Sequence, residues 1–187
     1  MKMALQLLFA INLTLGSLTL SGCVAMDSQN QRPEDELPTN VPAALSVQLT
    51  QKLTIVAKAV GVQIYECGVD KNKLGVYTWN LKAPEAELFN SQGDPIGKHY
   101  AGPTWEARDG SKVVGQVKAS DKGTDVNAIA WLLLNAKSNE GVGLFEHTTN
   151  VQRLNTVGGK APADGCDQTR LGIVTRIPYT AKYYFYN

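Results

Sequence analysis

The chain has 187 residues, with 18 Lys+Arg against 17 Asp+Glu and two histidines. Lys2 is the one charge ahead of residue 23, so the chain after it balances at 17 against 17. That balance argues against the basic face that nucleic acid requires and gives no support for a polybasic attachment to anionic lipid, so no nucleic-acid partner is expected.

Residues 1–22 read as a leader. Lys2 supplies a minimal positive region, residues 5–20 are largely apolar, and Leu20-Ser21-Gly22-Cys23 follows. Small residues ahead of the cut suit a signal peptidase. The cysteine immediately after them resembles the lipobox of bacterial lipoproteins, which implies cleavage before Cys23 and its acylation. Several acyl chains give a stable membrane anchor where one would be marginal. Val24 is not aspartate, so nothing resembles an inner-membrane retention signal, and the expected location is the outer membrane, with the domain in the periplasm or at the cell surface. Residues 23–40 are polar, contain proline and lack apolar periodicity, as a tether does. A single domain is expected over residues 41–187.

Removing Cys23 from the count leaves Cys67 and Cys166, a pair in an oxidising compartment, where a disulfide persists; two separate buried thiols are the alternative.

The domain's apolar pattern is short and alternating. Residues 52–57 and 60–67 read as strands, the second with Val60, Val62 and Ile64 on one face and Gln63, Tyr65 and Cys67 on the other. Residues 76–82 follow as a β-branched and aromatic strand. Residues 84–90 then read as a short helix with Pro84 at its first position. His99 and Tyr100 fall on a loop that ends in Gly102-Pro103 and runs into a hairpin around Asp109-Gly110. A three-residue turn, 108–110, pairs Glu106 with Lys112 and Trp105 with Val113, setting charge against charge and apolar against apolar. A two-residue turn wastes both charges, so the longer turn is expected, with Trp105 inward. Residues 129–135 read as a strand, and residues 125–136 alternatively as a helix capped by Asp125. Trp131-Leu132-Leu133-Leu134 is apolar on both faces, which favours a strand buried on two sides. Further strands are expected at 150–156, 171–177 and 181–186, with Pro178 as a turn signal between the last two. In the last strand Tyr184 and Tyr186 share one face, and Tyr183 and Phe185 the other. This composition gives a mainly β domain, an antiparallel β-sandwich or barrel with one or two short helices.

Two clusters could carry chemistry. The first is His99, Tyr100, Trp105 and Glu106, beside Asp109. The second is Arg153 and Asn155, which alternation places on one face, followed by Gly158-Gly159-Lys160; Arg153 and Lys160 could hold a carboxylate or phosphate. Neither is a complete catalytic set. No Gly-x-Ser-x-Gly and no P-loop is present. Two imidazoles exclude a three-histidine metal site, and His99 and His147 lack a ligand spacing, so no metal and no cofactor is expected.

The chain resembles a family of secreted proteins catalogued as domain of unknown function 3455. The likeness is carried by residues 61–67, 99–107, 109–115, 131–134, 152–163, 166–167 and 178–186. Ala130 departs from the family pattern, which has proline before Trp131. The resemblance implies export and a mainly β domain, and brings no activity or assigned residue. The expected function is a cell-envelope lipoprotein whose non-catalytic β-domain binds a small ligand, a glycan or a partner protein. The alternative is an exported, hydrolase-like enzyme using His99 with Glu106 or Asp109.

Overall fold

The computed structural model describes residues 37–187; the leader, Cys23 and the tether up to residue 36 lie outside them. Eight antiparallel strands follow one another among the described residues and close into a barrel: β1 (Leu53–Val69), β2 (Tyr77–Phe89), β3 (Pro95–Tyr100), β4 (Thr104–Ala107), β5 (Lys112–Asp121), β6 (Trp131–Glu140), β7 (Asn150–Gly158) and β8 (Val174–Tyr186). Each strand pairs with the next, and β1 pairs with β8 from Leu53↔Tyr186 to Glu66↔Val174. The fold is therefore mainly β, and of the two β architectures the chain forms the barrel.

Two segments expected as separate strands, 52–57 and 60–67, are one long β1. Its inward face is Ile55, Ala57, Ala59, Gln63, Tyr65 and Cys67, so the polar Gln63 points into the barrel while Val60 is exposed. The helix expected at 84–90 does not form. Ala86 and Leu88 are buried while Glu85 and Glu87 are exposed, a period of two, and these residues continue β2. The helix considered at 125–136 is absent too, and Trp131 opens β6. Residues 171–177 and 181–186 merge, since Pro178 sits inside β8 rather than in a turn.

Both misread prolines share a reason. The β2–β3 ladder begins at Ala86↔His99, so Pro84 has β1 on one side and no ladder on the other. The β7–β8 ladder ends at Gly158↔Tyr179, so Pro178 likewise pairs only with β1. A strand tolerates proline where one of its edges is unpaired. Among the described residues the short helices are 3₁₀ turns at Ala43–Leu45 and Gln168–Arg170, neither at an expected place.

The sheet buries both its faces along β6–β8. Inside the barrel, Trp105, Val113, Leu134, Phe145, Val151, Tyr183 and Phe185 pack together. Trp105 and Tyr183 meet edge to face at 5.3 Å, as do Trp105 and Phe185 at 5.9 Å. The opposite face carries Trp131, Leu133, Leu154, Tyr184 and Tyr186 beneath the amino-terminal strap, whose Leu45 is fully buried there. Gln152 stitches the strap down: its Nε2 donates to the Leu45 carbonyl at 2.6 Å, and its Oε1 accepts from the Tyr186 hydroxyl at 2.7 Å. Trp131–Leu134 is thus apolar on both faces because lumen and strap each demand it.

The β4–β5 hairpin adopts the expected register, Trp105↔Val113 and Glu106↔Lys112. Gly110, at φ 89°, turns the chain where a Cβ would be strained. Cys67 and Cys166 form a disulfide, S–S 2.06 Å with Cα atoms 5.3 Å apart, inside the window a bridge requires. It holds the segment between β7 and β8 against the end of β1, where Tyr65 Oη also donates to the Gly159 carbonyl at 2.7 Å.

Candidate ligand cavity in the barrel wall

Strands β3 and β4 have six and four residues, whereas their outer neighbours β2 and β5 have 13 and 10. The short pair runs out at the turn 101–103. Beyond it, residues 81–84 of β2 and Val117 of β5 face a gap that no strand fills. The gap leads to a cavity of about 280 Å³. Its mouth is formed by Leu81, Lys82, Ala83, Pro84, Val117 and the turn 101–103. Its inner wall is Gln63 from β1, His99 from β3, Trp105 from β4, Leu132 and Leu134 from β6, Arg153 from β7 and Tyr183 from β8. An eight-stranded barrel is just wide enough to be filled by side chains or to hold one small ligand, and here the aromatic filling stops short of one side.

His99 lies on β3 opposite Trp105, not on a loop as expected. It is 2% exposed and stacks on the Trp105 ring at 4.6 Å, with Tyr183 edge-on at 5.1 Å. Nδ1 donates to the Thr104 carbonyl at 2.8 Å, which leaves Nε2 as the ring's acceptor. Burial drives its pKa down to about 3, so the imidazole is neutral at physiological pH. Arg153 is half-buried. Its Nε and Nη2 donate to the Ala130 carbonyl at 3.1 and 2.8 Å, and no ion pair with a carboxylate engages it among the described residues.

Four buried polar atoms at or behind this wall have no hydrogen-bond partner of proper geometry: Gln63 Nε2, Trp105 Nε1, Tyr179 Oη and Tyr183 Oη. The Tyr179 and Tyr183 hydroxyls sit close enough to influence one another, Gln63 lies near the first and Arg153 near the second, and burial raises both tyrosine pKa values. An unpartnered buried polar group costs about 1–3 kcal/mol. Four gathered in one place make this the most polar spot of an otherwise apolar lumen, and such a concentration calls for an explanation.

The residues singled out from sequence divide between two faces. His99, Trp105 and Arg153 meet at the cavity. Tyr100 and Glu106 turn to the barrel exterior, where the Tyr100 hydroxyl donates to Glu106 at 2.7 Å and Lys98 lies 3.5 Å from the same carboxylate. The tyrosine hydroxyl holds the Glu106 pKa below the usual range, and the carboxylate in turn pushes Tyr100 up to about 12. Asp109 belongs to the hairpin turn. It accepts from Ser111 N and Oγ at 2.8 and 2.6 Å and from Leu144 N at 2.8 Å, which lowers its pKa and pins the loop after β6. Neither carboxylate engages His99.

Arg153 and Asn155 do not share a face. Asn155 adopts φ 51° at an irregularity between Leu154 and Val157, which breaks the alternation and leaves its side chain exposed. Lys160 is exposed and donates to the Val126 carbonyl. His147 is on an exposed loop beside Glu146. Gln63, Leu132 and Leu134 join the wall from outside the two sequence clusters, and Tyr183 joins it from the aromatic face it shares with Phe185 in the last strand. The one sequence signal for Gln63 was an amide alternating with Tyr65 and Cys67 in a strand that long-range pairing turns inward.

No curated protein and no solved structure matches this chain. A family model described as a protein of unknown function (DUF3455) matches residues 48–187, all eight strands of the barrel, and the chain belongs to that family.

Proposed function

We propose that this protein is a cell-envelope lipoprotein whose barrel binds a small molecule in the cavity beneath β3 and β4 and does no chemistry on it. The leader 1–22 is removed, Cys23 is acylated, and the tether holds the barrel off the outer membrane. The observation that carries the binding reading is the cavity itself: a gap in the barrel wall leading to a half-buried arginine and unpartnered polar groups. Its volume, about 280 Å³, is at the lower end of the roughly 300–1,000 Å³ of small-molecule sites. That space suits one ring or a short chain rather than an oligosaccharide or a peptide. A non-catalytic role is supported by His99, which is buried, neutral, tied to a carbonyl and unaccompanied by a carboxylate. A general base needs reach to the proton it takes and a pKa near the working pH, and His99 has a pKa far below it.

Two experiments test the two halves. Labelled palmitate should enter the wild-type protein and not Cys23→Ser; equal incorporation in both removes the lipoprotein. Calorimetry with p-cresol, indole and benzoate on the exported, unlipidated Cys23→Ser chain tests the cavity. At least one probe should bind, and Val117→Trp, at the half-exposed mouth, should abolish that binding while leaving the melting temperature in place. Binding unaffected by the tryptophan would put the site elsewhere. Turnover of any substrate that is lost in His99→Ala with the fold intact would make the protein an enzyme.

A further inference from the structure

The hydrogen-bonding inventory of the cavity is lopsided. Arg153 has five N–H donors and no acceptor. The Ala130 carbonyl takes one from Nε and one from Nη2, and the remaining N–H groups lie near the Tyr183 hydroxyl and face no carboxylate among the described residues. Gln63 Nε2, which has the Tyr179 hydroxyl nearby at poor geometry, and Trp105 Nε1 can only donate, and the Tyr183 hydroxyl can donate as well. Against them stand few acceptors, the Gln63 carbonyl oxygen and the neutral imidazole of His99. The same space holds one positive charge with no carboxylate beside it, and the other cation near the mouth, Lys82, is already paired with Glu66. Leu132, Leu134, Pro84 and Pro103 make the remaining surface apolar.

From this, and resting on the cavity-binding reading above, we propose that the ligand is a compact monocarboxylic acid with an apolar or aromatic ring. Its carboxylate is held by Arg153, and its ring lies against Trp105 and the leucines. A planar guanidinium edge matches a carboxylate in two parallel hydrogen bonds, which a single hydroxyl or amide oxygen does not reproduce. Among the described residues that line the cavity, one cation without a carboxylate partner balances one negative charge. A phosphate monoester would bring close to two, with Lys82 already committed to Glu66. The half-buried guanidinium gains its missing counter-ion, and the unpartnered donors gain an acceptor. The gap between β2 and β5 is rimmed by the apolar, exposed Leu81 and Val117, which suits the entry of an apolar ring.

The test compares each acid with its neutral isostere: benzoate, phenylacetate and cyclohexanecarboxylate against their primary amides, by calorimetry on the detergent-free Cys23→Ser chain at pH 7. At least one acid should bind ten-fold or more tightly than its amide. Arg153→Gln should erase that preference while leaving amide affinity within about three-fold, and Arg153→Lys should keep part of it. If acid and amide bind equally to the wild-type chain, and Val117→Trp blocks both, the cavity is a binding site and the carboxylate assignment is wrong. If the preference survives in Arg153→Gln, the arginine is not what reads the charge. If p-cresol or indole binds but no acid and no amide does, the cavity reading stands and the carboxylate assignment is wrong; if none of these probes binds, both fall. The wild-type comparison decides between acid and amide even if Arg153→Gln does not fold, since the Ala130 carbonyl loses its partner in that variant.

Discussion

Protonation of His99 tests the core of the site without any ligand. The imidazole is buried, donates through Nδ1 to the Thr104 carbonyl, and has Trp105 and Tyr183 against its ring. Its pKa is about 3, against 6.5 in the unfolded chain. The sign follows directly. Below pH 6.5 the unfolded chain binds a proton that the folded barrel refuses, so this group's contribution to stability is complete above 6.5. It is lost progressively as pH falls toward 3. The full difference corresponds to about 5 kcal/mol, and by pH 4.5 the loss should already reach about 3 kcal/mol. The control is His99→Asn, whose amide can still donate to the Thr104 carbonyl but does not titrate. Urea unfolding of both proteins, disulfide intact, at half-unit steps from pH 7.5 to 4.5 yields the difference directly. Glu106, Asp109 and Asp167, whose pKa values are lowered by their hydrogen bonds, also make the fold acid-sensitive, but equally in both proteins. The wild-type curve should fall below the variant's with a limiting slope of about 1.4 kcal/mol per pH unit. A flat difference between pH 6.5 and 4.5 would mean that folded His99 accepts a proton freely. The argument against a catalytic base would then collapse.

Two further predictions concern the frame around the cavity. Replacing Cys67 and Cys166 by serine should lower stability by about 2–5 kcal/mol, since the bridge closes a loop of 99 residues. Hydrogen exchange should rise first between residues 159 and 173, and unchanged exchange there would show that Tyr65 and the β1 contacts hold that segment alone. Leu45→Ala should cost about 2–5 kcal/mol in urea unfolding, because the side chain is fully buried beneath the strap. A loss below 1 kcal/mol would mean that the strap is an ornament on a barrel that already seals its outer face.

Local chemistry was enough for several features of this barrel. The β4–β5 register follows from charge and apolar pairing across a turn of three residues, so it was legible in residues 105–113 alone. Cys67 and Cys166 were the one pair left after Cys23, and the two-faced burial of residues 131–134 shows in an unbroken apolar run. What needed tertiary structure is everything that depends on which neighbour a strand has. Alternation separates Gln63 from Val62 but does not say which of them faces inward; closure of β1 on β8 decides that, through pairs more than 100 residues apart. Pro84 and Pro178 read locally as a helix start and a turn. They are tolerated inside strands because the neighbouring ladders stop short of them. One positive φ at Asn155 parts it from Arg153, and consecutive residues on β3 part His99 from Tyr100. The cavity itself is a difference in length between β2, β3, β4 and β5. A gap between strands is a property of their pairing, and no single segment of the sequence contains it.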